Sequence, residues 1–152
     1  MDDSDLHEFM PDKKLLKKAM ARPVAPESRT ILDAIAERLF ERLSLLVLSP
    51  SKIVDLGTGD ARHIKLLQQQ FKSAAVVGAD ISLARLQKAT GNRRFWQKHP
   101  LLVCLDASSP LPFTDDSIDL VVSNMMLPWL SNAELLAAEI NRILVKLSLI
   151  HI

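Results

Sequence analysis

At 152 residues and 48% hydrophobic content, the chain holds one domain with enough apolar material to close a core around a sheet. Its 19 Lys and Arg nearly balance 18 Asp and Glu, which leaves no overall field to hold nucleic acid or an anionic membrane. The single cysteine, Cys104, excludes an internal disulfide and a cysteine zinc site, and its place in the apolar run Leu101–Leu105 predicts a buried, inert thiol.

The N-terminus, Met-Asp-Asp-Ser-Asp, leads into no apolar segment of the kind a secretory leader needs, and no apolar run is long enough to span a bilayer; a cytoplasmic protein is expected. Residues 1–26 form a polar arm ending in Arg22-Pro-Val-Ala-Pro26, with Lys13, Lys14, Lys17 and Lys18 beside Leu15 and Leu16. Its simplest reading is a loosely packed segment with a solvated lysine face; its functional reading is a cover for a ligand or a contact for an acidic carrier protein. The rest, 27–152, reads as one domain. From Glu27, Ile31, Ile35, Leu39 and Leu43 recur every four residues and predict a helix with one core stripe, stopped by Ser49-Pro50.

Strands and helices then alternate. Strands are expected at about 52–56, 75–79, 101–105 and 118–123, with helices over 61–71, from Ser82 to near Gly91, and from Ser131, where Ser131 and Glu134 form a capping-box pattern. The strands are near-continuous apolar runs, as in parallel sheets covered on both faces. The expected fold class is therefore α/β, a Rossmann-like three-layer sandwich with a mostly parallel sheet in the order 3-2-1-4.

In such sheets ligands bind beyond the carboxyl ends of the strands. After strand 1, Asp55-Leu-Gly-Thr-Gly59 combines a carboxylate with a glycine turn that permits close backbone approach, and the helix behind it aims free amides at the turn. A nicotinamide-type fingerprint would need glycine at position 62, where Arg62 stands. Asp80 follows strand 2 and can accept two ribose hydroxyls; Asp106 follows strand 3 and can accept an adenine amino hydrogen; Asn124 follows strand 4. Each alone is explained as a cap or turn former, whereas together they supply what an adenosine needs. His7, His63, His99 and His151 have no partners at metal-ligand spacing, so no metal site is expected. Phe95 and Trp96, before Pro100, read as packing residues.

The D-x-G-x-G-x-A spacing resembles motif I of class I S-adenosylmethionine-dependent methyltransferases. Asp106-Ala-Ser-Ser-Pro-Leu-Pro-Phe-Thr-Asp-Asp-Ser-Ile-Asp-Leu-Val-Val-Ser-Asn124 is similar to the D-A-x-x-L-P-F-x-D-x-S-F-D stretch of that family, and Ser123-Asn-Met-Met-Leu-Pro-Trp-Leu130 resembles the S-N-x-x-L-x-W segment of the malonyl-carrier-protein methyl ester synthases of biotin biosynthesis and of the related complex I assembly factors. The resemblance implies S-adenosyl-L-methionine as cofactor and S-adenosyl-L-homocysteine as product. It sets Asp55, Gly57, Thr58 and Gly59 around the methionine end, Asp80 and Ile81 at the ribose, Asp106 and Ala107 at the adenine, and Asn124 at the end of strand 4. It also suggests that Met125, Met126 and Trp129 line an acceptor pocket. The implied reaction is O-methylation of a small-molecule or carrier-bound carboxylate such as malonyl, with no catalytic residue identified; the alternative is a cofactor-binding or assembly-type protein that transfers no methyl group.

Two departures from the family stand out. Ala61 replaces a glycine common in motif I, a change a helix tolerates well. After Leu144 the chain reads Val-Lys-Leu-Ser-Leu-Ile-His-Ile152 in place of the usual Lys-Pro-Gly-Gly and further strands, which predicts a truncated fold. Strand 4 then becomes an exposed edge at Val121-Val122, open to homodimerisation or to pairing with the tail as a short substitute strand.

Overall fold

The computed structural model describes residues 12–91 and 100–151; Phe95, Trp96, His99 and His7 lie outside them. The described chain runs α1 (Lys13–Met20), α2 (Pro26–Ser44), β1 (Lys52–Leu56), α3 (Ile64–Gln70), β2 (Ala75–Asp80), α4 (Leu83–Gly91), β3 (Leu101–Cys104), β4 (Ile118–Ser123), α5 (Ala133–Ile143) and β5 (Leu144–His151). The five strands form one sheet in the order β3-β2-β1-β4-β5 with every pairing parallel. This is the Rossmann-like α/β sandwich expected from the alternation of elements.

Side chains alternate across β1 and β4, so each strand feeds both layers. Val54, Leu56 and Val121 pack with Leu136, Ile140 and Ile143 of α5 on one face. Ile53, Leu120 and Val122 pack with Leu39 and Leu43 of α2 and Ile64 and Leu67 of α3 on the other. Winding therefore reverses beside β1, which leaves a crevice above β1 and β4.

Several local expectations are corrected. The core stripe of α2 is Ala36, Leu39 and Leu43, while Ile31 is 61% exposed. A strict four-residue repeat advances about 40° per step around an α-helix, so over twelve residues the stripe drifts by about 120° and its first member leaves the core. The helix also stops at Ser44, ahead of Pro50: the Ser44 hydroxyl donates to Glu41 O and the Leu45 amide turns back onto Arg42 O. Leu45 and Val47 beyond it face solvent. The cap of α5 is Asn132, one residue later than Ser131, because its side-chain oxygen accepts the Leu135 amide at 2.8 Å. Cys104 is exposed, since β3 is an edge strand without a fully buried residue.

At the C-terminus the tail forms the substitute strand that its alternation allowed. β5 pairs along β4, with an irregular register between Ile118 and Leu120, and Val121 and Val122 are 0% and 3% exposed. β4 is an interior strand, so the open edge on which homodimerisation rested is covered. Among the described residues no helix is long and apolar enough to cross a membrane.

Candidate functional site

The turn after β1 bends where Gly57 and Gly59 take φ values of 78° and 60°. A Cβ on Gly57 would lie 2.9 Å from Met126 Cβ, so backbone and side chain meet there without room for a methyl group. The Gly57 and Thr58 amides both donate to Ala79 O, at 2.8 and 3.0 Å, and the Gly59 amide donates to Asp80 Oδ2 at 2.9 Å. The amides of the turn itself are thus bonded to β2. Residues 61–63 are a turn and α3 begins only at Ile64. Ala61 sits at φ 56° and fully buried, so it occupies a left-handed position that costs a non-glycine residue about 1–2 kcal/mol, and its substitution for glycine is not a mild change within a helix.

Asp55 lies beneath the turn, 4% exposed, and accepts the Thr58 hydroxyl at 2.6 Å. Burial pushes its carboxyl up to about 6; the Thr58 hydroxyl opposes this and the neighbouring Asp80 charge adds to it. Asp80, at the end of β2, accepts Gly59 N on one oxygen and Ser82 N, at 2.8 Å, on the other. Each carboxylate oxygen keeps a further lone pair. Asp106 accepts Ser108 N at 2.9 Å and pairs with Lys13 Nζ at 2.8 Å. Burial acts to raise its pKa, but the Lys13 ammonium and the Ser108 amide outweigh it and hold the carboxyl below its ordinary value. Asn124 donates to Leu32 O on α2 at 3.3 Å.

One cavity of about 600 Å³ opens over the carboxyl ends of β1 to β4 and is lined by Asp55, Gly57, Thr58, Gly59, Asp80, Ile81, Asp106, Ala107 and Asn124, together with Met125, Met126 and Trp129. Met125 adopts φ 59°, a conformation that costs about 1–3 kcal/mol for a side chain of this kind and turns the chain across the cavity mouth. Met125 and Trp129 are 47% and 49% exposed.

Residues outside the motifs contribute as well, among them the arm whose functional reading was a cover for a ligand. Lys13, Leu16 and Met20 of α1 and Arg29 and Leu32 of α2 line the same cavity. Arg62 braces the turn: it donates to both oxygens of Asp60 and to Asp33 on α2 at 2.8–3.1 Å, which ties the loop to that helix. Its charge keeps the Asp60 carboxyl low, while burial and the same cation lower His63. A second brace acts through α5. Arg142 donates to Phe113 O and Leu111 O at 2.9 Å and pairs with Glu139 and Asp115, while Glu139 accepts the Leu111 amide at 2.7 Å. Glu139 is held down to about 2 by Arg142 and then by that amide. The segment that carries Asp106 and Ala107 is thereby clamped to α5. The alternation of Glu139 and Arg142 with buried Leu136, Ile140 and Ile143 shows an amphipathic helix, but sequence spacing does not tell which loop they hold.

Residues 54–152 match the family model described as a methyltransferase domain. The malonyl-[acyl-carrier protein] O-methyltransferase of Gallionella capsiferriformans is 29% identical over 146 residues, covering 91% of this chain and 50% of the relative. That of Legionella pneumophila is 36% identical over 110 residues, covering 72% of this chain and 38% of the relative. The chain thus spans about half or less of the length of these relatives. Among solved structures, an S-adenosylmethionine-dependent methyltransferase of Mesorhizobium loti superposes with a TM-score of 0.61 at 25% identity over 75% of this chain and 51% of the other. The [4+2]-cyclase SpnF superposes with the same TM-score of 0.61 at 21% identity, over 72% of this chain and 42% of that one, so the architecture alone does not fix the chemistry.

Proposed function

Since the chain belongs to the methyltransferase-domain family, we propose that its cavity binds S-adenosyl-L-methionine and supports methyl transfer to a carboxylate, with a malonyl group on a carrier protein as the acceptor. The observation that carries this reading is convergence: three carboxylates from the ends of β1, β2 and β3 and the Gly57–Gly59 turn face one cavity of about 600 Å³, a volume suited to a cofactor-sized ligand.

The residues present fit such a ligand. Asp80 accepts the ribose hydroxyls with its remaining lone pairs, while its bonds to the Gly59 and Ser82 amides fix its orientation. Asp106 accepts the adenine amino group, beside the Ala107 backbone. Asp55 and the turn meet the methionine end, where the buried carboxylate favours a cationic ligand. The cofactor supplies a methyl group already activated on a positively charged sulfur. The chain's task is then to hold the acceptor in line with that carbon, and positioning of this kind lowers a barrier by about 7–11 kcal/mol. Met125, Met126 and Trp129 form the apolar wall for the acceptor, and Asn124 links that wall to α2. A carboxylate acceptor is itself the nucleophile and requires no base. The names of the relatives support malonyl on its carrier as that acceptor.

The test is transfer of a radiolabelled methyl group to malonyl carrier protein, run beside free malonate and an unacylated carrier. Label on the malonyl carrier above both controls is expected. Binding of cofactor with no label on any of the three would remove the acceptor assignment, and absence of cofactor binding would remove the whole reading.

A further inference from the structure

The carboxylate that this reading gives to the adenine end is already engaged by a cation of the chain itself. Lys13 Nζ lies 2.8 Å from Asp106 Oδ2, and the other oxygen of Asp106 accepts the Ser108 amide. Lys13 is part of the cavity wall, as are Leu16, Ala19 and Met20 on the same face of α1, so the helix roofs the space an adenosine would enter. Its attachment is slight. Leu16 is the one buried residue of α1, the neighbouring Leu15 is 61% exposed, and the connection to α2 runs through Pro23 and Pro26 with exposed residues at Arg22 and Ala25. Asp12 caps the helix by accepting the Lys14 amide, a bond made within the segment itself.

We propose that Lys13 and Asp106 form a latch: α1 closes over the adenine end through this ion pair, and the Lys13 ammonium competes with the amino group of an adenosine ligand for the Asp106 carboxylate. The inference rests on the assignment of Asp106 above. A neutral adenine amino group donates a hydrogen bond but carries no charge, so it does not equal an ammonium as a partner for the carboxylate; it takes the position when α1 releases. Apparent affinity is then reduced by the fraction of molecules in which the latch is open. The lysine side chain is 54% exposed, so the pair is of the partly solvated kind, and its removal is expected to tighten binding about two- to fivefold. Salt screens the pair and has the same effect.

The experiment is titration calorimetry of the full chain with S-adenosylhomocysteine, which carries no sulfonium charge to confuse the salt response. Wild type, Lys13→Met, Lys13→Arg and Asp106→Asn are compared at low and high salt. Expected results are a two- to fivefold tighter Lys13→Met at low salt, near-wild-type binding by Lys13→Arg, and a gap between wild type and Lys13→Met that closes at high salt. Weaker or equal binding by Lys13→Met at low salt overturns the latch. Wild-type affinity in Asp106→Asn overturns the assignment of Asp106, and the latch with it.

Discussion

At the scale of the residue, Asp55 sets the electrostatics of the site. Its carboxyl is pushed up to about 6 in the folded chain against an ordinary value of 3.8, so its own contribution to stability is greatest below about pH 4, falls as the pH rises from 4 through 6, and is level above. Holding this carboxylate ionised in the folded chain at neutral pH costs on the order of 3 kcal/mol. Asp55→Asn should flatten this dependence: denaturant unfolding at pH 4 and pH 7 should differ by about 2–3 kcal/mol less in the variant than in the wild type, and identical pH slopes would contradict the burial argument. Gly57 is constrained in a different manner, by its φ of 78° and by Met126 at 2.9 Å from any added Cβ. Gly57→Ala should therefore destabilise by at least about 1–2 kcal/mol, read as a lower denaturation midpoint at constant slope. The residues of the site were legible because aspartate and glycine at strand ends are few and their spacing is regular. The state of their hydrogen bonds was not: that the turn's amides bond Ala79 O and Asp80 depends on how close β2 lies, which no local pattern encodes.

At the scale of the element, two braces place the site, one on each side of the sheet. Arg62 ties the glycine turn to α2, and Arg142 ties the segment carrying Asp106 to α5. Arg142→Ala should weaken S-adenosylhomocysteine binding severalfold, because the carbonyls of Leu111 and Phe113 and the carboxylate of Glu139 lose their shared partner. Asp115→Ala removes only the solvent end of that network, where the side chain is 73% exposed, and should leave affinity unchanged in the same titration. Equal effects from both would show that the clamp does not control the loop. Periodicity located the strands to within a residue or so, since β1, β2 and β4 are buried and uniform in character. It failed at helix ends. The turns at Ser44 and at residues 61–63 are decided by competition among nearby donors and acceptors, and Ile31 shows how a four-residue repeat departs from the 3.6-residue helix.

At the scale of the whole molecule, the crevice exists because the chain winds from β1 toward β3 on one side and toward β5 on the other. That order followed from apolar runs and crossover handedness; the alternation of the tail allowed a substitute strand over β4, but the sequence did not decide between that pairing and self-association at the Val121-Val122 edge. Deleting residues 145–151 should uncover the Val121-Val122 edge and raise the sedimentation coefficient through self-association; a variant that sediments as the intact chain does, at matched concentration, would mean that β5 is not what shields the edge. Central to the proposed function is that Asp80, in the cavity over the strand ends, meets the sugar of an adenosine ligand. Titration calorimetry of S-adenosylhomocysteine against wild type and Asp80→Asn, which keeps an oxygen for the Gly59 amide, tests it most directly. Saturable one-site binding by the wild type is expected, with a loss of about 1.5–3 kcal/mol, more than tenfold in affinity, in the variant. Wild-type affinity in Asp80→Asn, or no binding by the wild type, would contradict it.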